Sequence, residues 1–137
     1  MPRVRYYRDL EVWQTAIEFA VANYGLTRSF PRSELFGLTS QLQRAAVSIA
    51  TNIAEGHGRG TPKDFLRYLS YGRGSLRECE TLLIIANRIG YSKSETNQLL
   101  LADADRIGRM LHGLSTSVAR RANTDPRRPT TDHESLS

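Results

Sequence analysis

Leu38-Thr39-Ser40-Gln41-Leu42-Gln43-Arg44-Ala45-Ala46-Val47-Ser48-Ile49-Ala50-Thr51-Asn52-Ile53-Ala54-Glu55-Gly56 opens the stretch that decides the fold, and His57-Gly58-Arg59-Gly60-Thr61-Pro62-Lys63 completes it. Leu38, Leu42, Ala45 and Ile49 step by four, three and four. That spacing makes a helical seam that packs along partner helices. The next seam position falls on Asn52, a polar residue where an apolar one is due. A buried amide needs hydrogen-bond partners, so Asn52 is expected to fix register. Gly56, Gly58 and Gly60 are expected to end the helix. Thr61-Pro62 starts another, with Thr61 as N-cap and Pro62 at the first helical position.

The other segments keep the same rhythm. Leu10, Trp13, Ile17, Ala20 and Tyr24 form one apolar seam. Val12, Ala16 and Phe19 form a second stripe beside it. Two stripes on one helix suggest either a wide buried face or a subunit interface. Gly25 is expected to loosen that helix's last turn. Phe30-Pro31-Arg32-Ser33 reads as a turn, with Ser33 capping the second helix as Asp9 caps the first. Phe65, Leu69, Gly72, Leu76, Cys79, Leu83 and Ala86 mark the third seam, with Gly72 read as a tight crossing point. Gly90 suits a left-handed helix end. Ser92-Lys93-Ser94-Glu95 has the spacing of a capping box. Leu100, Ala104, Ile107, Leu111, Leu114 and Val118 mark the fourth seam.

These patterns predict an all-α, antiparallel, up-down-up-down four-helix bundle with left-handed packing. The expected helices span about 9–28, 34–56, 62–89 and 93–118. Residues 1–8 read as a basic arm, 9–118 as the bundle, and 119–137 as a disordered tail broken by Pro126 and Pro129.

Ala45-Ala46-Val47-Ser48-Ile49-Ala50-Thr51-Asn52-Ile53-Ala54-Glu55-Gly56 resembles the A-A-x-S-I-x-x-N-I-A-E-G signature of the four-helix-bundle protein family. That family is also called the large-subunit ribosomal RNA intervening-sequence proteins, and it is similar to accessory variability proteins of diversity-generating retroelements. Further matches are Leu10-Glu11-Val12-Trp13-Gln14, Phe30-Pro31, Phe36-Gly37-Leu38, Gly74-Ser75-Leu76-Arg77-Glu78 and Ile89-Gly90-Tyr91. The resemblance runs from about Tyr6 to Val118. It departs at Ala50-Thr51, where Pro-Ser is frequent, and at Cys79, where Leu is usual. It implies a helical bundle that often assembles as a homopentamer. It implies no settled activity.

The 137 residues fit one domain. The net charge is +5, with Lys63 and Lys93 the only lysines. Arginine's planar fork suits phosphate and carboxylate, so RNA, DNA or an acidic protein is a plausible partner. Cys79 stands alone, which excludes an internal disulfide and a cysteine-rich metal site. No apolar run is long enough to cross a membrane, and the N-terminus lacks the apolar stretch of a secretory signal. A cytoplasmic location follows as the expectation.

No constellation of reacting groups emerges, so no enzyme, cofactor or metal is expected. Cys79 sits on a core seam. His57, His112 and His133 are scattered, and Glu78 and Glu80 point to different helix faces. The Gly56–Lys63 stretch lacks the Gly-Lys-Ser/Thr of a phosphate loop and follows a helix rather than a strand. Glu55, beside Asn52, is expected to pair with an arginine such as Arg44 or Arg77, inside the bundle or between subunits.

The candidate nucleic-acid-binding residues are Arg59, Lys63, Arg67, Arg73 and Arg77. They form a basic stripe that, from Arg59 to Arg77, is opposed in the sequence only by Asp64. Tyr68 and Tyr71 lie close enough to stack on unpaired bases. Two functions follow as expectations. One is an oligomeric bundle that binds RNA or DNA through phosphates. The other is a protein-interaction scaffold, for example an accessory subunit of a reverse transcriptase.

Overall fold

Apolar side chains at helical spacing, with glycine or proline between the runs, produce four helices. The computed structural model describes residues 6–124. The helices are α1 (Glu11–Thr27), α2 (Leu38–Gly58), α3 (Pro62–Arg88) and α4 (Ser94–Thr124). Short 3-10 turns at Tyr7–Asp9 and Arg32–Glu34 precede α1 and α2. Among the described residues there is no strand. None of the helices is long and apolar enough to cross a membrane.

Each helix packs on its neighbours in chain order, and α1 also meets α4. Leu42, Ala46, Ile49 and Ile53 of α2 meet Leu69, Leu76, Cys79 and Leu83 of α3 in a core completed by Phe19, Ile107 and Leu111. Along α2 and α3, Ser48 bonds Ser75 while Arg59 bonds Tyr68, so rising positions on one helix meet falling positions on the other.

Every seam residue expected on α3 is buried. Gly90, at φ 89°, reverses the chain after it, and the Tyr91 N–H reaches back to the Ala86 carbonyl at 2.8 Å. On α4, Leu100, Ala104, Ile107, Leu111 and Val118 are buried.

Several local expectations are corrected. On α1 the core face is the second stripe, Val12, Ala16 and Phe19, continued by Ala20 and Asn23. Ile17 and Tyr24, from the seam read first, are exposed, as is Val21. Two apolar stripes compete for one core, and the stripe carrying Phe19 fills it. Asn23 is wholly buried and donates from Nδ2 to the Phe19 carbonyl at 2.8 Å.

On α2 the seam steps by four after Ile49, so Ile53 enters the core and Asn52 is left half-buried. Gly56 does not end the helix; it is a buried residue within it. A Cβ at Gly56 would lie 2.6 Å from the Tyr68 Cβ and 3.1 Å from the Phe65 Cδ1. The close approach therefore sits at Gly56. At Gly72 a Cβ would meet the Ile49 carbonyl oxygen at 3.6 Å, an ordinary contact.

The caps differ as well. Asp9 lies in the 3-10 turn, and Leu10 precedes α1 without a side-chain cap. Ser33 also lies in a 3-10 turn, so α2 starts at Leu38 rather than near 34. The cap there comes from Glu34, whose Oε1 accepts from the Leu38 N–H at 3.2 Å. The Asn97 N–H bonds the Lys93 carbonyl, which puts the N-cap of α4 at Lys93, one residue after the expected Ser92. Finally, α4 continues to Thr124. Ala119-Arg120-Arg121-Ala122 are good helix formers, and no glycine or proline interrupts them. The disorder expected over 119–137 therefore fails for 119–124. Its remainder, 125–137, and residues 1–5 of the basic arm lie outside the described residues.

Candidate nucleic-acid interface

The connection from α2 to α3 is three residues long, Arg59 to Thr61. Gly60 takes φ 84°, a conformation that favours glycine. Thr61 caps α3 by accepting from the Asp64 N–H at 3.2 Å, and Pro62 occupies the first turn. This short reversal lays Arg59, at the end of α2, across the first two turns of α3.

Tyr68 is the centre of what results. Arg59 Nη2 donates to the Tyr68 hydroxyl at 2.7 Å, and its guanidinium lies 5.1 Å from the ring centroid. The Arg67 guanidinium lies 5.3 Å from the same centroid. Tyr71 meets the Tyr68 ring edge-on, with centroids 5.5 Å apart and planes at 81°. Underneath, Gly56 lets the Tyr68 stem sit directly on α2. Cation–π contacts and an edge-on ring pair of this kind hold the Tyr68 ring in place.

Carboxylates share the cations. Glu55 Oε1 accepts from Arg59 at 3.1 Å, and Asp64 pairs with Arg67 at 3.2 Å. The Glu55 bond, then Tyr68, holds the Arg59 guanidinium above its ordinary pKa. Both pairs reach solvent and lie within one helix turn, where ion pairs contribute little. The arginines can therefore exchange carboxylate for another anion at small cost. Lys63 is exposed beside them.

The stripe predicted from sequence is not continuous. Arg59, Lys63 and Arg67 gather at the α2–α3 end. Arg73 turns toward α4, where its Nη2 donates to the Ser115 hydroxyl at 3.3 Å. Arg77 donates to Glu80 at 2.7 Å. Within the stripe Asp64 is the acidic residue, and the fold adds Glu55 and Glu80 from beyond its two ends.

The polar residues of the α2 signature also settle outside the core. Asn52 Nδ2 donates to the Ser48 carbonyl at 2.8 Å and to its hydroxyl at 3.0 Å, and Ser75 donates to the same hydroxyl at 2.8 Å. Ser48 is therefore the hub that ties α2 to α3, a role foreshadowed only by its four-residue spacing from Asn52. Within the chain Glu55 pairs with Arg59 and Arg77 with Glu80, so the expected bond from Glu55 to Arg77 does not form; Arg44 is exposed on the surface of α2.

The other reactive side chains are placed apart. Cys79 has no exposed surface, and burial, then Glu78 and Glu80, pushes its thiol up to about 12. His57 packs edge-on against Phe65 at 5.6 Å. His112 is exposed on α4, and His133 lies outside the described residues. Among the described residues no group of three or more His, Cys, Asp or Glu side chains converges to hold a metal ion.

A family model described as 23S rRNA-intervening sequence protein matches residues 8–113. A solved structure is also similar, that of a protein with unknown function from the S23 ribosomal protein family of Bacteroides thetaiotaomicron. It is 24% identical, with a TM-score of 0.69, and the match covers 76% of this chain and 97% of that one. At that identity the likeness shows the fold. No curated protein matches the chain.

Proposed function

The chain belongs to the 23S rRNA-intervening sequence protein family, and on that footing we propose that it is a non-enzymatic, oligomeric helical bundle of the cytoplasm that binds RNA or DNA through phosphate contacts. One observation carries this function: Arg59 and Arg67 converge on Tyr68, which is paired edge-on with Tyr71, and the exposed Lys63 lies one helix turn before Arg67. Arginine forks and a lysine on an exposed surface match the charge of a phosphate backbone. Ile17, Val21 and Tyr24 leave an apolar strip on α1, which supports oligomerisation; the family resemblance points to five subunits. Repetition around such a ring would multiply the positive ends.

Fluorescence anisotropy with generic RNA and DNA at low salt tests the proposal. Wild type is expected to bind, and Lys63→Glu with Arg67→Glu to lose most of that binding. No binding by wild type at low salt ends it.

A specific feature favours a second function, that of a protein-interaction scaffold. Phe36 stands 94% exposed beside the exposed Leu35, in the connection that leads into α2. A large apolar side chain held clear of the surface suits a protein partner. A pull-down in which wild type recovers no protein partner would overturn it, and recovery of the same partner by Phe36→Ser would take Phe36 out of the contact.

A further inference from the structure

We infer that the α2–α3 end takes single-stranded rather than double-stranded nucleic acid, with an unpaired base stacked on Tyr71. The inference rests on the nucleic-acid function proposed above and assigns its ligand class.

Tyr68 and Tyr71 differ in what is left of them. Tyr68 has its hydroxyl taken by Arg59, its ring engaged by two guanidinium groups, and its stem pressed on Gly56. It is a fixed pedestal. Tyr71 stands edge-on against that pedestal and is itself 52% exposed. An exposed aromatic ring normally samples several rotamers, and ordering it opposes binding. Contact with a clamped neighbour reduces that loss, so Tyr71 is preorganised.

Charge then selects what stacks there. Arg67 lies one helix turn before Tyr71, and Lys63 one turn before Arg67, so cations flank the ring along one side of α3. A nucleotide offers the matching pair, a flat π-face and a phosphate beside it. A duplex keeps its base faces inside the stack and presents phosphates only. Tyr71 would then contribute nothing. A single strand uses both parts of the surface.

The test is anisotropy at one fixed salt concentration. It uses the full chain with single-stranded DNA, single-stranded RNA and duplex DNA of equal length. Tyr71 is exposed, so its variants should fold, which circular dichroism checks. The single strands are expected to bind more tightly than the duplex, with the DNA and RNA arms showing which sugar is preferred. Tyr71→Ala is expected to weaken single-strand binding about tenfold or more and leave duplex binding unchanged. Tyr71→Phe is expected to match wild type, because stacking needs the ring and not the hydroxyl. Equal binding of single strand and duplex, with Tyr71→Ala indistinguishable from wild type, overturns the single-strand assignment and leaves phosphate binding standing. No binding to any of the three nucleic acids overturns both.

Discussion

Gly56 lies so close beneath Tyr68 that a Cβ on the glycine would sit 2.6 Å from the Tyr68 Cβ. This contact sets how near α3 approaches α2 at the turn and where Tyr68 stands for Arg59 and Arg67. Gly56→Ala forces the helices apart. The helix-propensity gain of about 1 kcal/mol is outweighed by overpacking, which costs about 1–3 kcal/mol. The melting temperature is expected to fall by several degrees. Gly72→Ala meets only ordinary contacts, at 3.6 and 3.7 Å, and should hold or raise it. Thermal melts of the two variants in parallel check the contrast.

Tyr91 and Glu34 join the two connections at the other end of the bundle. The Tyr91 hydroxyl donates to Glu34 Oε2 at 2.9 Å, while Glu34 Oε1 caps α2. The Glu34 bond, then burial, raises the Tyr91 pKa above its ordinary value of 10.0. A raised folded pKa means that the neutral phenol is favoured in the folded state. The contribution is therefore full below pH 10 and fades as pH rises through the raised value. Tyr91→Phe should melt below wild type at pH 8, and the gap should close in strongly alkaline buffer. A gap that is constant or widens with alkali would contradict the bond.

Cys79 is expected to be inert in the folded protein. Its thiol is fully buried and pushed up to about 12, so almost no thiolate exists at pH 8. A disulfide reagent at that pH should label it slowly, and at once in denaturant. Rapid stoichiometric labelling without denaturant would show that the third seam opens.

The seams of α3 and α4 are legible because their steps of four and three stay in phase along each helix. On α1 two stripes were present, and periodicity alone does not say which one the core accepts; packing of Phe19 decides it. Gly56 illustrates the other limit. Glycine near a helix end reads as a stop, yet here it answers a neighbour 12 residues away in sequence, Tyr68, which no local pattern reveals. The basic residues were visible as a set. Their division between Tyr68, Ser115 and Glu80 depends on rotamers and on α4, so the sequence suggested one stripe where there are separate groups.

The α1 strip makes its own prediction. Ile17, Val21 and Tyr24 share one exposed face, with Val21 67% exposed. Light scattering should give wild type a multiple of the chain's 15.4 kDa. Ile17→Glu with Val21→Glu should lower the mass without loss of helical signal. A wild type that runs as a monodisperse monomer would contradict the interface.

The salt dependence of nucleic-acid affinity tests the central claim most directly. If Arg59, Lys63 and Arg67 hold phosphates, log K against log salt should fall with a slope of about −2 or steeper, and Lys63→Ala should make it shallower by about 0.7–0.9. An affinity indifferent to salt, or a slope that Lys63→Ala and Arg67→Ala leave unchanged, would contradict phosphate binding at this end of the bundle.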